Sequence, residues 1–259
     1  MIFTGVLSIF WLPLAIPIYW ALKNNPNLAA ILTMGLMFLE LLCLWRLWGK
    51  YVYGETSIFS NYGLVTTTAN LREFANGLAI GFCFCLSLFF LEAVCGWINI
   101  VSPSLNLFKV TLEGLFSALG IALAEELLFR GWLWDELRRD YPTKIAIWAN
   151  ALLFALLHFI KPVNEIIRTL VTFPALVILG IALVKAKLRC NNRLGISIGI
   201  HAGLVWGYYI FNVGELIEYS DRVPAWITGI DRNPIAGITG LIFLSVLTLG
   251  ISRFRFRTN

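Results

Sequence analysis

Long hydrophobic runs alternate with short polar segments along the whole chain. The runs cover roughly residues 2–22, 28–48, 75–98, 108–130, 145–161, 167–186, 194–213 and 236–252. A helix of about 17–25 apolar residues matches the thickness of a bilayer core. The pattern therefore predicts an all-α fold, a polytopic membrane helix bundle with about eight transmembrane helices.

The composition strengthens this interpretation. Of the 259 residues, 59% are hydrophobic and only 14% are charged. A soluble domain of this length needs more charge to cover its surface. We therefore expect a multi-pass integral membrane protein whose surroundings include membrane lipid.

The basic residues are divided unequally between the two sides of the predicted bundle. If successive loops alternate between the sides, six basic residues lie on the far side, and fourteen lie on the side of the N-terminus. The positive-inside rule then predicts that both termini are cytoplasmic. The net charge of +5 is thus a topology signal, and no nucleic-acid partner is expected.

Three segments are predicted from the order of the runs. Residues 1–107 hold three helices and a cytoplasmic loop at 49–74. Residues 108–213 form a core of helices that carries the polar residues. Residues 214–259 hold an external loop, the last helix and a basic cytoplasmic tail.

Two local patterns predict details of these helices. Asn70 and Glu73 have the spacing of an N-cap and its N3 partner, so a helix is expected to begin at Asn70. On the seventh run a glycine recurs every fourth residue, which predicts a close helix–helix contact. These glycines are Gly195, Gly199, Gly203 and Gly207.

Ionisable side chains inside the hydrophobic runs are the candidates for function. Such groups are costly in hydrocarbon and usually face the interior of a bundle. The fourth run carries Glu125, Glu126 and Arg130, while His158 and His201 lie in the fifth and seventh runs. These are the two histidines of the chain, and together with the glutamates they indicate a common site.

The two adjacent glutamates are predicted to differ in role. Glu126 and Arg130 are four residues apart, with the acid first, which favours an ion pair on one helix face. Glu125 lies about 100° around the helix and has no such partner. It is therefore available as a general base.

These residues resemble the motifs of a known family. EELLFR at 125–130 resembles the EExxxR motif of the CAAX-protease and bacteriocin-processing (CPBP, Abi-type) family of glutamic-type intramembrane proteases. FALLH at 154–158 resembles its FxxxH motif, and HAGLV at 201–205 resembles the start of its HxxxN motif. The three motifs follow the order of the family.

The resemblance implies a membrane endopeptidase that needs no cofactor and cleaves peptide or protein substrates, membrane-anchored ones included. Glu125 and His158 would activate a water molecule, and His201 would bind the oxyanion. Glu126, Arg130 and Phe154 would support the site. The resemblance also implies a cavity that opens towards the cytoplasm.

One position departs from the family pattern. The asparagine of HxxxN is Val205 here, which has no hydrogen-bond donor. Loss of one oxyanion donor lowers a rate by about 10²–10³. Tyr208 and Trp206 are the candidates to replace it.

Two other functions are compatible with the same residues. Glu125, His158 and His201 are a plausible ligand set for zinc in a membrane metallohydrolase. A catalytically silent scaffold or immunity protein of the same fold is the other alternative, and Val205 favours it.

The predicted depths of Glu125 and His158 in the membrane do not agree. If the fourth helix ends near Trp134, Glu125 lies ~13 Å from that end, while His158 lies ~20 Å from the start of its helix. The two residues would then meet only if the fifth helix starts further from the membrane surface or is tilted.

Overall fold

The computed structural model of the protein describes residues 2–103 and 106–253. Arg255, Arg257 and most of the predicted basic tail lie outside the described residues. The chain forms two compact units, 1–61 and 62–259. The three-segment division expected from the sequence stays a prediction.

Helices account for most of the described residues. They are α1 (Ile2–Ala21), α2 (Pro26–Val52), α3 (Ile58–Asn61), α4 (Thr68–Val94), α5 (Leu107–Glu126), α6 (Trp134–Asp140), α7 (Thr143–Leu157), α8 (Val163–Thr169), α9 (Phe173–Arg189), α10 (Gly195–Val213), α11 (Ala225–Thr228) and α12 (Ile238–Arg253). Two three-residue strands, β1 (Ile98–Ile100) and β2 (Ile217–Tyr219), pair antiparallel.

The prediction of an all-α, multi-pass bundle is confirmed. Within the described residues, five helical segments are long and apolar enough to cross a membrane. Three shorter apolar helices, at Gly5–Ala21, Thr143–Leu157 and Ile238–Arg253, fall in the remaining hydrophobic runs.

The first unit consists of α1, α2 and α3. Asn25 accepts a hydrogen bond from the backbone of Leu28 and caps α2, which begins with a proline. Trp11 of α1 donates to the carbonyl of Thr33 on α2 at 3.2 Å, and Thr33 is buried. The helices of this unit are thus joined by polar as well as apolar contacts.

The second unit is built around α10, which packs most extensively against α4 and next against α5. A Cβ atom on Gly199 would lie 2.2 Å from the carbonyl oxygen of Phe74, and one on Gly203 would lie 2.3 Å from that of Leu78. The glycine ridge therefore allows two backbones to touch, and the predicted close contact is confirmed.

The predicted start of α4 is wrong by three residues. Thr67 is the N-cap, and its hydroxyl accepts from the backbone of Asn70. The Asn70 side chain instead donates to Val65 and accepts from the backbone N–H of Gly195 at 2.8 Å. Asn70 therefore satisfies the start of α10, a tertiary role that local spacing does not reveal.

The fourth helix is longer than its hydrophobic run. α5 continues through a π-helical turn at Leu127–Leu133 into α6, which ends at Asp140. Glu125 lies fifteen residues from that end, and His158 lies fifteen residues after the start of α7 at Thr143. Both distances correspond to about 22 Å of helix, so the apparent difference in depth disappears.

Contacts in the second unit tie its loops into two groups at opposite ends of the helices. Strands β1 and β2 join the loops around 98–100 and 217–219. At the other end, the N–H of Leu194 donates to the carbonyl of Gly63, and Arg193 pairs with Glu73. Which end is cytoplasmic stays a prediction.

Candidate active site

Three helices bring Glu125, His158 and His201 together. Glu125 Oε2 lies 4.0 Å from His158 Nε2 and 3.9 Å from His201 Nε2. This oxygen is buried and accepts no hydrogen bond from the described residues. The Glu125 and His158 side chains are about one-third exposed, at 31% and 34%. The acid therefore faces two imidazole rings in a partly open site.

Glu126 points into the core behind this group. Its Oε1 accepts from Arg130 Nη1 at 3.0 Å, and both side chains are fully buried. The same oxygen lies 2.9 Å from His201 Nδ1. Glu126 therefore joins the predicted ion pair to the histidine of α10, a contact that the sequence did not predict.

Hydrogen bonding fixes which nitrogen of each histidine faces Glu125. His158 Nδ1 lies 2.7 Å from the carbonyl oxygen of Phe154. A carbonyl only accepts, so Nδ1 carries a proton and the neutral ring presents an unprotonated Nε2 to Glu125. The carboxylate of Glu126 likewise accepts a hydrogen bond from the Nδ1–H of His201.

Aromatic rings complete the wall around Arg130. Its guanidinium lies over the ring of Phe154, 4.2 Å from the centroid. Phe154 meets Phe129 edge to face at 5.0 Å. Such a cation–π contact offsets part of the cost of burying the charge. Phe154 thus supports the site through its carbonyl, which holds His158, and through its ring.

Two residues that sequence reasoning left out of the site hold the π-helical turn. Lys187, which is 2% exposed, donates to the carbonyl of Arg130 at 2.5 Å and to that of Tyr62 at 2.8 Å. Asn150 donates to the carbonyl of Phe129 at 2.6 Å. Asn150 shares a helix stripe with Phe154, which was a usable signal, whereas Lys187 looks like one more basic residue at a helix end.

The two candidate replacements for the family asparagine lie in different surroundings. Trp206 Nε1 donates to the carbonyl of Thr111 at 3.0 Å. Thr111 is fourteen residues before Glu125, about 21 Å away along α5, so Trp206 is not brought to the glutamate. Tyr208 lines the same cavity as His158, and its hydroxyl accepts from Asn212 at 2.9 Å.

The zinc alternative gains no support from this geometry. Within the part of the chain that the structure describes, no group of three or more His, Cys, Asp or Glu side chains is arranged to hold a metal ion.

Comparison with known families agrees with the motifs. Residues 107–207 match the family model described as type II CAAX prenyl endopeptidase Rce1-like. The matched region contains α5, α7 and the part of α10 that carries His201, and the resemblance to the CPBP family is thereby confirmed. No curated protein and no solved structure gives a significant match to the chain.

Proposed function

We propose that the protein is a membrane-embedded endopeptidase of the CAAX-protease type, in which Glu125 activates the attacking water. One observation carries the proposal: a carboxylate oxygen lies within 4.0 Å of two histidine Nε2 atoms, inside the region matched by the family. The substrate is a peptide or protein that reaches the membrane, as the family description suggests.

The distances from Glu125 to the two histidines suit a reaction in which one water molecule lies between these groups. Distances of 3.9 and 4.0 Å are too long for direct hydrogen bonds, and a water molecule held between such groups can bond to both. Glu125 removes a proton from this water while the oxygen attacks the peptide carbonyl carbon. The C–N bond then breaks, and the proton held by Glu125 passes to the leaving amine.

His158 is the orienting base in this scheme. Because its Nδ1–H is held by Phe154, its Nε2 accepts a hydrogen bond from the attacking water. Its ring also lies against that of Phe154, with centroids 4.6 Å apart, so its position is fixed. His158 therefore holds the water in line with Glu125.

His201 is the first donor to the developing oxyanion. Its Nδ1 is already engaged with Glu126, so Nε2 donates only when the ring carries both protons. In that state the charged ring lies between the carboxylates of Glu125 and Glu126. Tyr208, which lines the His158 cavity, is the candidate second donor in place of Val205.

A catalytically silent membrane protein of the same fold is the second candidate. Val205 favours it, because the position that supplies a donor in the family supplies none here. It predicts that no peptide bond is cleaved in a manner that depends on Glu125.

Substitution of Glu125 separates the two candidates. Glu125→Gln keeps the shape of the side chain and removes the base, and Glu113→Gln on the exposed face of α5 is the matched control. Removal of a general base lowers rates by about 10²–10⁴, so we expect cleavage to disappear in the first variant alone. The measurement is N-terminal proteomics of membranes that contain each variant. Identical peptide termini in membranes with the wild type, Glu125→Gln and Glu113→Gln would leave the silent protein as the better interpretation.

A further inference from the structure

We propose that the end of α2 and the segment that follows it form a binding site for the phosphate group of an anionic phospholipid. The site lies within the first unit, and none of the residues proposed for peptide cleavage belongs to it. It is therefore a second site, whose ligand is a component of the membrane itself.

The site is a cavity of about 490 Å³, which is an ordinary volume for a small-molecule site. One wall is formed by the last two turns of α2, which carry Arg46 and Lys50. Three hydroxyl groups line the opposite wall, those of Thr56, Ser57 and Ser60. Guanidinium, ammonium and hydroxyl groups all donate hydrogen bonds, and phosphate oxygen atoms accept them. The lining therefore has the chemistry of a phosphate site.

Backbone contacts hold the two walls of this cavity together. The chain reverses at Gly54, whose φ of +69° favours glycine. The N–H of Glu55 then donates to the carbonyl of Gly49 on α2 at 2.8 Å. A Cβ atom on Gly49 would lie 3.0 Å from the Cβ of Ile58, which is 2% exposed. The segment after the turn is therefore packed closely against α2, and the shape of the cavity is built into the fold.

The charge of the lining favours an anion. Neither Arg46 nor Lys50 forms an ion pair with an acidic side chain of the described residues. Arg46 instead lies over the ring of Phe59, with Cζ 5.2 Å from the centroid, and this contact holds the guanidinium at the cavity. Glu55 is the one acid in the lining, so two basic side chains and one acidic side chain leave one positive charge. This excess matches the single negative charge of a phosphodiester.

The position of the site on α2 favours a lipid over a free phosphate ion. The stretch Leu28–Val52 is long and apolar enough to cross a membrane, so its last two turns lie where the hydrocarbon meets the headgroups. Leu47 and Tyr51 follow the two cations in the chain and are 51% and 73% exposed. They are four residues apart and share one stripe of the helix. An acyl chain can pack along this stripe while the phosphate lies in the cavity, and basic side chains at such a depth attract anionic lipids.

Native mass spectrometry of the full chain in detergent tests the site. The protein is titrated with phosphatidylglycerol or with phosphatidylcholine of the same acyl chains. Two basic contacts to an anionic lipid correspond to about tenfold or more in affinity, so the wild type should prefer phosphatidylglycerol by about that factor. The double variant Arg46→Gln, Lys50→Gln should lose most of this preference.

The matched control is the double variant Arg72→Gln, Lys144→Gln, which removes the same charge at exposed positions of α4 and α7. It should keep the preference of the wild type. Equal affinity of the wild type for the two lipids, or an equal loss of preference in the two double variants, would overturn the proposed site.

A substitution that fills the cavity separates a built site from general attraction of charge. Ser57→Phe keeps both cations and places a ring in the cavity, so the preference should fall about as far as in the Arg46→Gln, Lys50→Gln variant. Thermal unfolding shows whether the variant is folded, and Thr56→Trp in the same wall replaces it if it is not. Full preference in a folded, filled variant would contradict binding in the cavity.

Competition with soluble phosphates identifies the source of the phosphate group. Inorganic phosphate and glycerol 3-phosphate lack the acyl chain that packs along Leu47 and Tyr51. Neither compound should displace phosphatidylglycerol from the wild type at millimolar concentration. Displacement by either one would assign the cavity to a soluble phosphate compound and overturn the lipid as its ligand.

Discussion

At the residue scale, the most demanding feature is the buried charge of Glu126 and Arg130. Both side chains are fully buried, and one carboxylate oxygen of Glu126 accepts hydrogen bonds from both Arg130 and His201. A buried charge that loses its partner costs about 3–5 kcal/mol. The pair is therefore sensitive to single changes, and its contact with His201 Nδ1 places the other ring nitrogen 3.9 Å from Glu125.

Substitution within this pair should reduce stability more than substitution of Glu125. Glu126→Gln leaves Arg130 without its charge partner, so we expect the free energy of unfolding in detergent to fall by about 3–5 kcal/mol. Glu125 is one-third exposed, and its Oε2 lies 4.0 and 3.9 Å from the two histidine nitrogens, so the melting temperature of Glu125→Gln should stay near that of the wild type.

The exposed pair of Lys109 and Glu113 on the same helix is the control. Exposed pairs contribute about 0–1 kcal/mol, so Glu113→Gln should change the melting temperature little. The measurement is thermal unfolding of the purified variants. A Glu126→Gln protein as stable as Glu113→Gln would contradict the structural role of the pair.

At the element scale, a π-helical turn at Leu127–Leu133 follows directly after Glu125 and Glu126. π-helical turns change the register of a helix and are common at functional sites. Asn150 holds the carbonyl of Phe129, and Lys187 holds that of Arg130. Side chains from α7 and α9 thereby fix the backbone between Glu126 and α6.

Lys187→Met should loosen this turn. The change leaves two buried carbonyls without their donor, which costs about 1–3 kcal/mol for each unsatisfied group. Cleavage per folded molecule should fall as well, because Glu125 precedes the turn. Melting temperature and single-turnover cleavage are the two readouts.

Lys185→Met on the same helix is the matched control, because Lys185 bonds to the hydroxyl of Ser252 away from the turn. If both methionine variants cleave at the same rate per folded molecule, Lys187 has no positioning role.

The contact between α4 and α10 offers a second prediction at this scale. A Cβ atom on Gly203 would lie 2.3 Å from the carbonyl oxygen of Leu78, so Gly203→Ala must separate the two backbones. We expect the free energy of unfolding to fall by about 1–3 kcal/mol or more, because this is the usual cost of overpacking.

At Gly120, a Cβ atom would have no other atom of the described residues within 4 Å beyond its chain neighbours and the backbone of its own helix. Gly120→Ala should therefore keep or raise stability, by up to about 1 kcal/mol. Equal melting temperatures for the two alanine variants would show that the helices are less closely packed than described.

At the scale of the whole molecule, the alternation of helices predicts a difference in charge between the two sides of the membrane, with fourteen basic residues on the side of the N-terminus and six on the other.

Topology reporters test this arrangement directly. A reporter fused after residue 259 should be active on the cytoplasmic side, and one inserted in the loop 214–235 should be active on the other side, because the basic residues favour the cytoplasm. Sandwich fusions that keep the last helix serve as the control for insertion. Reporters on the same side would disprove the alternation of the helices.

The sequence by itself determined the class of fold, the hydrophobic runs that form the long helices, and the candidate acid and histidines. These depend on hydrophobic length and on motif order, which are properties of contiguous residues. Tertiary structure decided the rest: that Asn70 caps α10, that Glu126 binds His201, that Lys187 and Asn150 hold the π-helical turn, and that Tyr208 rather than Trp206 lines the cavity beside His158. Each of these contacts joins residues far apart in the chain, and its partner is selected by the packing of whole helices. No local pattern of apolar and polar positions encodes that choice.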